Sequence, residues 1–242
     1  MVKYLYELFK EARPRQVLKN LSLYTGLVFS GWLFQFDKLV TVTLAMIYFS
    51  ILTSSVYILN DIVDLKSDKK HPYKKNRPIA SGRLPVEVAL FVCLGGFFIS
   101  FALGWGLSFF LFLTMLAYFV LQVIYTNFLK HEPIIDVMII SLGFILRVYA
   151  GALVIGAHIN VWLLLCIISF SLFLAIGKRR SELTLLQGKI GSRKVLGRYP
   201  EKLLDIYTSM FANTTWLTYT LFTFMFPAFS FSGKALTLLN DL

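Results

Sequence analysis

Asn60 and three aspartates directly follow an apolar run, in the sequence NDIVDLKSD. If the helix formed by that run continues, Asp61, Asp64 and Asp68 lie at positions i, i+3 and i+7 and share one helical face. Asn60 lies one turn before Asp64 on the same side. Carboxylates on one face repel one another unless a cation lies between them, and hard oxygen donors suit Mg²⁺. The spacing therefore predicts Asp61, Asp64 and Asp68 as ligands of Mg²⁺.

A basic, turn-rich loop follows these aspartates. Pro72, Pro78 and Gly82 mark turns in it. Arg77 beside a Mg²⁺ site is well placed to hold phosphate oxygens, and some of the neighbouring lysines are expected to contact lipid headgroups. The alternative is a solvated, charged helix end. Aspartate at a helix C-terminus opposes the helix dipole, which disfavours that alternative.

The elements that must position these residues are strongly apolar. The chain of 242 residues is 57% hydrophobic and only 15% charged, whereas a soluble domain carries about 25% charge. A run of about 20 apolar residues spans the hydrocarbon core of a bilayer. The sequence predicts an all-α, polytopic bundle of transmembrane helices that forms a single domain over residues 1–242. The seven predicted spans are residues 21–36, 39–59, 88–104, 107–129, 134–157, 161–177 and 210–231.

Basic residues are concentrated on one side of this predicted topology. The chain has 24 Lys and Arg and a net charge of +11, and 21 of the 24 lie on one side if the seven spans alternate. The positive-inside rule makes that side cytoplasmic. It includes the N-terminal segment, which lacks the apolar core of a cleavable signal peptide, and loops near 60–85 and 178–205. No aromatic-interleaved basic patch or zinc pattern accompanies the charge, so nucleic-acid binding is not predicted.

Two charged residues lie within the predicted fifth span. Asp136 lies just inside it, and Arg147 follows 11 residues later, about three turns on, on the same face. A charge near the middle of a span is costly, so Arg147 should face the bundle interior and have a partner. That partner is predicted to be a phosphate, Asp136 or the backbone. Tyr125 and Lys130 precede the span at its cytoplasmic mouth.

Several segments resemble one family. NDIVDLKSD resembles the Asn-Asp-x-x-Asp-x-x-x-Asp motif of the UbiA superfamily of intramembrane prenyltransferases. RPRQVLKN (13–20) and HPYKKNRPIASG (71–82) resemble the segment before that superfamily's first helix and its first cytoplasmic loop. In this family the aspartate motif binds Mg²⁺ and a diphosphate, which implies that Asn60, Asp61, Asp64 and Asp68 are the catalytic residues. Members usually have nine spans, so the C-terminal end is expected to be shortened.

The loop after the sixth span departs from the general pattern of the family. Relatives that prenylate aromatic rings carry a second aspartate-rich motif there, whereas this chain has GKRRSEL, with Lys178, Arg179 and Glu182. An acidic motif that faces a basic one suits two phosphate groups, one held through Mg²⁺ and one held directly. Together with LKHEPIIDV and GFILRVYAGA, this resembles the decaprenyl-phosphate phosphoribosyltransferase branch. Those enzymes transfer 5-phosphoribose from phosphoribosyl diphosphate (PRPP) to a polyprenyl phosphate, toward cell-wall sugar donors such as decaprenyl-phosphoryl-arabinose.

The resemblance implies a set of substrate-binding residues, a Mg²⁺ cofactor, and a location in the plasma (inner) membrane of a prokaryote with the active site facing the cytoplasm. The partners implied are PRPP, the polyprenyl phosphate and membrane lipids, with no oligomeric state predicted. Two alternatives remain: a UbiA-type transferase to an aromatic acceptor such as 4-hydroxybenzoate, and a transporter or other non-enzymatic membrane protein. The implied substrate-binding residues are Lys19, Lys74, Lys75, Arg77, Tyr125, Lys130, Asp136, Arg147, Lys178, Arg179 and Glu182.

Overall fold

The structure is a computed structural model that describes residues 2–129, 134–186 and 200–225. These residues form a helical architecture. Short 3₁₀ helices at Leu18–Leu23 and Lys74–Asn76 and a π-helical turn at Tyr125–Leu129 join the α-helices. No strand occurs in these ranges, so the all-α prediction is confirmed. The α-helices are α1 Val2–Glu11, α2 Pro14–Val17, α3 Tyr24–Phe29, α4 Phe36–Val63, α5 Leu65–Asp68, α6 Val86–Leu107, α7 Phe109–Ile124, α8 Ile135–Val154, α9 Val161–Leu186 and α10 Glu201–Met225.

Five of the described helices, α4, α6, α7, α8 and α9, are long and apolar enough to cross a membrane. Helix α6 shows what faces the lipid, because Phe91 and Phe98 are among its most exposed side chains. Such large apolar side chains on the outside of a helix are stable in hydrocarbon. Between the helices, Phe49 and Leu52 of α4 pack with Leu111 and Met115 of α7 in a buried core. The prediction of a polytopic helical bundle is therefore confirmed.

The predicted first span, residues 21–36, is not one long α-helix in the structure. Helix α2, the 3₁₀ helix Leu18–Leu23 and α3 follow one another without a break, and Gly31, with φ of 71°, turns the chain toward α4. One face of this segment packs inside the bundle, where Leu23 and Leu27 are fully buried, whereas Leu21 and Val28 of the segment are exposed. The predicted seventh span corresponds to α10, whose last described residue is Met225. Helix α10 is not among the five, and residues 226–231 lie outside the described part of the chain.

Close contact with α8 holds the segment Leu18–Phe29 in the bundle. A Cβ atom on Gly151 would lie 1.9 Å from the Leu23 carbonyl oxygen, and a Cβ atom on Gly26 would lie 2.9 Å from the Ala152 Cα. Small residues allow backbones in membranes to approach this closely. The contact places residues 19 and 20 beside the middle of α8, where Arg147 lies.

Gly151→Ala should destabilise the protein strongly, since the new methyl group would overlap a backbone oxygen that cannot move as a side chain can. Overpacking of this kind costs about 1–3 kcal/mol. Thermal unfolding in detergent, followed by circular dichroism, measures the effect. The matched control is Gly95→Ala on α6, where the added Cβ meets nothing within 4 Å. Equal melting temperatures for the two variants would contradict the contact.

Candidate active site at one end of the bundle

The aspartate motif lies where α4 ends. Helix α4 ends at Val63, Asp64 has φ of −84° and ψ of 3°, and the four-residue helix α5 ends at Asp68. The three aspartates therefore occupy two helices, and the expectation of one continuous helix through Asp68 is wrong. Asp61 and Asp68 remain close because Arg77 joins them. Its Nη1 atom donates to Asp61 Oδ1 at 2.8 Å and to Asp68 Oδ2 at 2.6 Å.

Two further cations neutralise these carboxylates. Arg13 donates through Nη2 to both oxygens of Asp61 at 2.5 Å, and its guanidinium lies 5.1 Å from the ring centre of Tyr57. Lys74 Nζ lies 3.7 Å from Asp68 Oδ1. Arg13 holds this position with a left-handed backbone, at φ of 53° and ψ of 63°, which is uncommon for a residue with a side chain. The N-terminal segment is thereby fixed to the end of α4.

A cavity of about 180 Å³ lies beside these residues. Six of its lining side chains are cationic and two are carboxylates, so it suits a ligand with several negative charges. The remaining residues that line it are polar or apolar side chains and one glycine. The cationic residues are Arg13, Lys19, Lys74, Arg77, Arg147 and Lys178, and the acidic ones are Asp61 and Asp64; the others are Tyr57, Asn60, Tyr118, Gln122, Tyr125, Thr126, Ile140, Gly143 and Phe144.

Arg147 reaches this cavity from the middle of α8, as the sequence predicted for a charge facing the interior. Its Nε donates to Asn20 Oδ1 at 2.8 Å, Nη1 to the Gly143 carbonyl at 2.6 Å and Nη2 to the Tyr118 hydroxyl at 2.9 Å. These three partners are uncharged. The alternative that Arg147 pairs with Asp136 is wrong, because Arg147 is held by these groups.

Asp136 instead pairs with α9. Arg179 Nε lies 2.7 Å from Asp136 Oδ2, with both side chains 1% exposed, and Arg179 Nη1 donates to Glu182 Oε2 at 2.5 Å. Beside this ion pair, Ser141 and Ser171 form a hydrogen bond between α8 and α9. The charged group therefore joins two helices within the bundle and does not line the cavity.

The structure brings together most of the residues that the sequence predicted. Asp68 lies behind Arg77, Lys75 is exposed, and Asp136, Arg179 and Glu182 form the separate ion-pair group. Lys130 lies outside the described residues. The predicted residues that line the cavity are Lys19, Asn60, Asp61, Asp64, Lys74, Arg77, Tyr125, Arg147 and Lys178.

Sequence reasoning missed several residues of the site. Arg13 and Asn20 lie in the quoted segment RPRQVLKN, but neither was assigned a role. Tyr118 and Gln122 were missed, although with the predicted Tyr125 they recur at intervals of four and three in a largely apolar segment, and this polar stripe could have identified the cavity wall. The sequence showed no signal for the other missed residues, Tyr57 on α4 and Thr126, which donates to Asn60 Oδ1 at 2.7 Å.

The donor set at this end of α4 fits Mg²⁺. Within the described ranges, no three His, Cys, Asp or Glu side chains lie close enough to hold a metal ion by themselves. Asn60, Asp61 and Asp64 nonetheless present hard oxygen atoms to one cavity. Mg²⁺ is commonly bound through one or two carboxylates, with water and substrate phosphates completing its coordination. These three residues would hold the ion, and it would compete with Arg13 and Arg77 for Asp61.

Two side chains outside the membrane spans have shifted pKa values. Burial, and then the nearby charges of Lys178, Arg147 and Arg13, lower the pKa of Lys19 to about 8. Burial, and then the adjacent Asp61 carboxyl, raise the pKa of Glu11 to about 8. Burial is the main cause of the shift at Lys19 and the neighbouring cations add to it, so an anionic ligand in the cavity would favour the charged form of Lys19.

The affinity for inorganic diphosphate should fall as the pH rises through about 8, because Lys19 then loses its proton. Bound anion favours the charged form, and loss of one charge-assisted contact costs about tenfold in affinity. Isothermal titration of wild type and Lys19→Arg at several pH values measures this. Both proteins contain Glu11, and the ionisation of diphosphate is the same in both titrations. The difference between their two pH profiles of affinity is therefore due to residue 19. Parallel pH profiles would contradict the assignment.

A family model, that of the UbiA prenyltransferase family, matches residues 21–239. The chain belongs to the UbiA prenyltransferase family. UbiA membership and the five apolar helices make it an integral membrane protein of a family of transferases. The resemblance found in the sequence is therefore confirmed.

Individual UbiA-family proteins show how far the likeness extends. The decaprenyl-phosphate phosphoribosyltransferase of Mycolicibacterium smegmatis is 34% identical over 215 residues, which are 86% of this chain and 65% of that protein. That of Mycobacterium tuberculosis is 33% identical over 95% of this chain and 78% of its own length. A UbiA homologue from Archaeoglobus fulgidus, bound to GPP and Mg²⁺, superposes with a TM-score of 0.67 at 19% identity, over 96% of this chain and 80% of that one. These Mg²⁺-bound coordinates support the use of divalent metal in the family.

Proposed function

We propose that this UbiA-family protein transfers a 5-phosphoribosyl group from PRPP to a polyprenyl phosphate of the decaprenyl type, with Mg²⁺ as cofactor. The observation that carries the proposal is the charge distribution in the cavity. Asp61, which Arg13 and Arg77 contact, and Asp64 line the cavity, and so do Arg147 and Lys178, whose charges act on Lys19 and with it form a cationic part. A site built this way can hold one metal-bound diphosphate and one bare phosphate.

The acid-containing part would bind the diphosphate of PRPP. Mg²⁺, when bound, supplies positive charge to the diphosphate as it leaves. Arg13 and Arg77 both contact the Asp61 carboxylate in the structure. A change of side-chain conformation would turn them from Asp61 toward the diphosphate. Both are arginines, whose planar donors match phosphate oxygens. Lys74 adds a third positive charge from the loop.

The cationic part would bind the acceptor phosphate. Lys19, Arg147 and Lys178 surround it, and Arg147 is held rigidly by Asn20 and the Tyr118 hydroxyl. In the reaction, an oxygen of the lipid phosphate bonds to ribose C1 as the bond from C1 to the diphosphate oxygen breaks with its electron pair. The phosphate is ionised at neutral pH, so no general base is required. Positioning and charge stabilisation would then supply the catalysis.

The named activities of the relatives support the same reaction, and α9 supports it independently. Relatives that prenylate rings carry acids after this helix, whereas here Lys178 lines the cavity and Arg179 pairs with Asp136 and Glu182. No acid of the described part of α9 lines the cavity. A second Mg²⁺ clamp on one prenyl diphosphate is therefore not favoured.

The test is a transfer assay with purified protein in detergent. Labelled phosphoribose from PRPP should appear in the lipid fraction when decaprenyl phosphate and Mg²⁺ are present, and should not appear when Mg²⁺ is chelated. A parallel reaction offers a polyprenyl diphosphate and 4-hydroxybenzoate. Prenylation of the ring without phosphoribosyl transfer would overturn the proposal and favour the aromatic branch.

The proposal also puts the site at the cytoplasmic face, because residues 1–20, the loop at residues 60–85 and the segment after α9 carry most of the basic residues. A cysteine at Lys70, which is exposed, should therefore be labelled by a membrane-impermeant maleimide only after the cells are opened. The matched control is a cysteine at Phe34, 95% exposed in the link before α4, which should be labelled in intact cells. Labelling of position 70 from outside would contradict this orientation.

A further inference from the structure

Gln122 of α7 lines the cavity, and the reaction described above gives it no role. Its side-chain amide makes no hydrogen bond with any residue in the described part of the chain. The amide of Asn60, by contrast, accepts a hydrogen bond from Thr126 at 2.7 Å. Gln122 therefore brings an uncharged donor and an uncharged acceptor to the cavity, and both are free to bind a ligand.

Two other polar residues on the same wall of the cavity show where this amide lies. The Tyr118 hydroxyl accepts a hydrogen bond from Arg147, which belongs to the cationic part of the cavity. Thr126, in the π-helical turn that continues α7, bonds to Asn60 at the start of the aspartate motif. Gln122 is four residues from each of them, about 6 Å along the helix axis in either direction. The amide thus lies between the part that would bind the acceptor phosphate and the part that would bind the diphosphate.

The absence of a side chain at Gly143 leaves space beside this amide. A Cβ atom on Gly143 would lie 3.7 Å from Gln122 Nε2, 3.4 Å from Arg147 Nη1 and 3.7 Å from Tyr118 Cε2. Gly143 itself lines the cavity. A ligand group in this space would contact both the amide and the guanidinium.

We propose that Gln122 hydrogen-bonds the ring hydroxyl groups of the donor's ribose and thereby determines the sugar specificity of the site. The inference rests on the proposed function and names the residue that recognises the sugar. In that reaction ribose C1 lies between the leaving diphosphate and the acceptor phosphate, so the sugar must occupy the space between the two parts of the cavity. An amide donates and accepts hydrogen bonds, as a sugar hydroxyl does, whereas Lys and Arg only donate and an ionised Asp only accepts.

Two other occupants match the amide less well. A phosphate oxygen would use only the N–H groups of Gln122, and the six cationic side chains of the cavity bind phosphate more strongly. An isoprenoid chain offers no hydrogen bond and would leave the amide unpaired in an apolar contact, which is unfavourable. A hydroxyl-bearing sugar satisfies both ends of the amide.

The experiment is an isothermal titration of the purified full chain in the presence of Mg²⁺ and without lipid acceptor, so that binding is measured without transfer. The ligands are PRPP, its 2-deoxy and 3-deoxy analogues, and inorganic diphosphate, which has no sugar. Wild type should bind PRPP about three- to tenfold more tightly than at least one deoxy analogue, as one neutral hydrogen bond predicts. Gln122→Met keeps the length of the side chain and removes the amide. It should lose this preference, bind PRPP more weakly by the same factor and bind diphosphate as wild type does.

The matched control is Asn127→Ala, because Asn127 is an exposed amide of the same segment and its Nδ2 donates to the Val123 carbonyl at 2.9 Å. This variant should retain the wild-type preference. If Gln122→Met also retains it, or loses affinity for diphosphate as much as for PRPP, Gln122 does not recognise the sugar and the inference fails while the proposed function stands. If wild type does not bind PRPP, the proposed function fails and the inference fails with it. Should Gln122→Met not fold, Gln122→Asn replaces it, because its shorter amide should lose the same preference.

Discussion

Asp61→Ala is expected to abolish Mg²⁺-dependent transfer. Asp61 lines the cavity and is the carboxylate on which Arg13 and Arg77 converge. Its loss removes a metal ligand where negative charge develops on the leaving diphosphate, an effect of about 4 kcal/mol or roughly a thousandfold in rate. Asp64→Ala should behave similarly, since Asp64 lines the same cavity. The measurement is the rate of phosphoribosyl transfer over a range of Mg²⁺ concentrations.

Asp68 provides the matched control for this prediction. It is as buried as Asp61 and shares Arg77 with it, but it does not line the cavity. Asp68→Ala should therefore lower the melting temperature while retaining more activity than Asp61→Ala. Folding of each variant is checked by circular dichroism, because removal of one partner of a buried ion pair is destabilising by about 3–5 kcal/mol. Near-normal transfer by folded Asp61→Ala at low Mg²⁺ would contradict the assignment of Asp61 as a ligand of Mg²⁺.

Lys178→Ala and Arg179→Ala should fail in different ways although the residues are adjacent. Lys178 lines the cationic part of the cavity, so its loss should raise the KM for the lipid phosphate about tenfold or more and leave the protein folded. Arg179 is buried against Asp136 and Glu182. Its loss leaves a buried carboxylate uncompensated and should destabilise the fold by about 3–5 kcal/mol.

Steady-state kinetics and thermal unfolding of the same two preparations separate these effects. Arg180→Ala, on the neighbouring position, is the control, since Arg180 pairs with Asp205 at 2.6 Å on the exposed side of α9. It should change neither measurement appreciably, because exposed ion pairs contribute about 0–1 kcal/mol. A large rise in KM for Arg179→Ala, with an unchanged melting temperature, would show that the guanidinium contacts substrate after all.

The parts of the fold that follow from local chemistry could be predicted from the sequence. Long apolar runs predicted α4 and α6 to α9, and the cost of a charge in a span predicted that Arg147 faces the interior. The grouping of Asp61 with Arg77 also followed, because both lie in one short segment. These features depend on hydrophobicity, charge and short separations along the chain.

Pairings between distant segments could not be predicted in the same way. The spacing of Asp136 and Arg147 puts them on the same face of one helix. Asp136 nevertheless pairs with Arg179 on another helix, and Arg147 donates a hydrogen bond to Asn20. Arg13 meets Asp61 across 48 residues. The close contact between the Leu23 carbonyl and Gly151 was likewise not predictable, because it joins residues far apart in the chain.

That packing also constrains how the protein is made. The segment Leu18–Phe29 leaves the ribosome long before Gly151 and Ala152, the residues that receive it, have been synthesised. The hydrogen bond from Arg147 to Asn20 likewise joins residues 127 positions apart. These contacts can therefore form only after α4, α6, α7 and most of α8 have been synthesised. Because Arg147 lines the cavity, assembly of the site is a late step in biosynthesis.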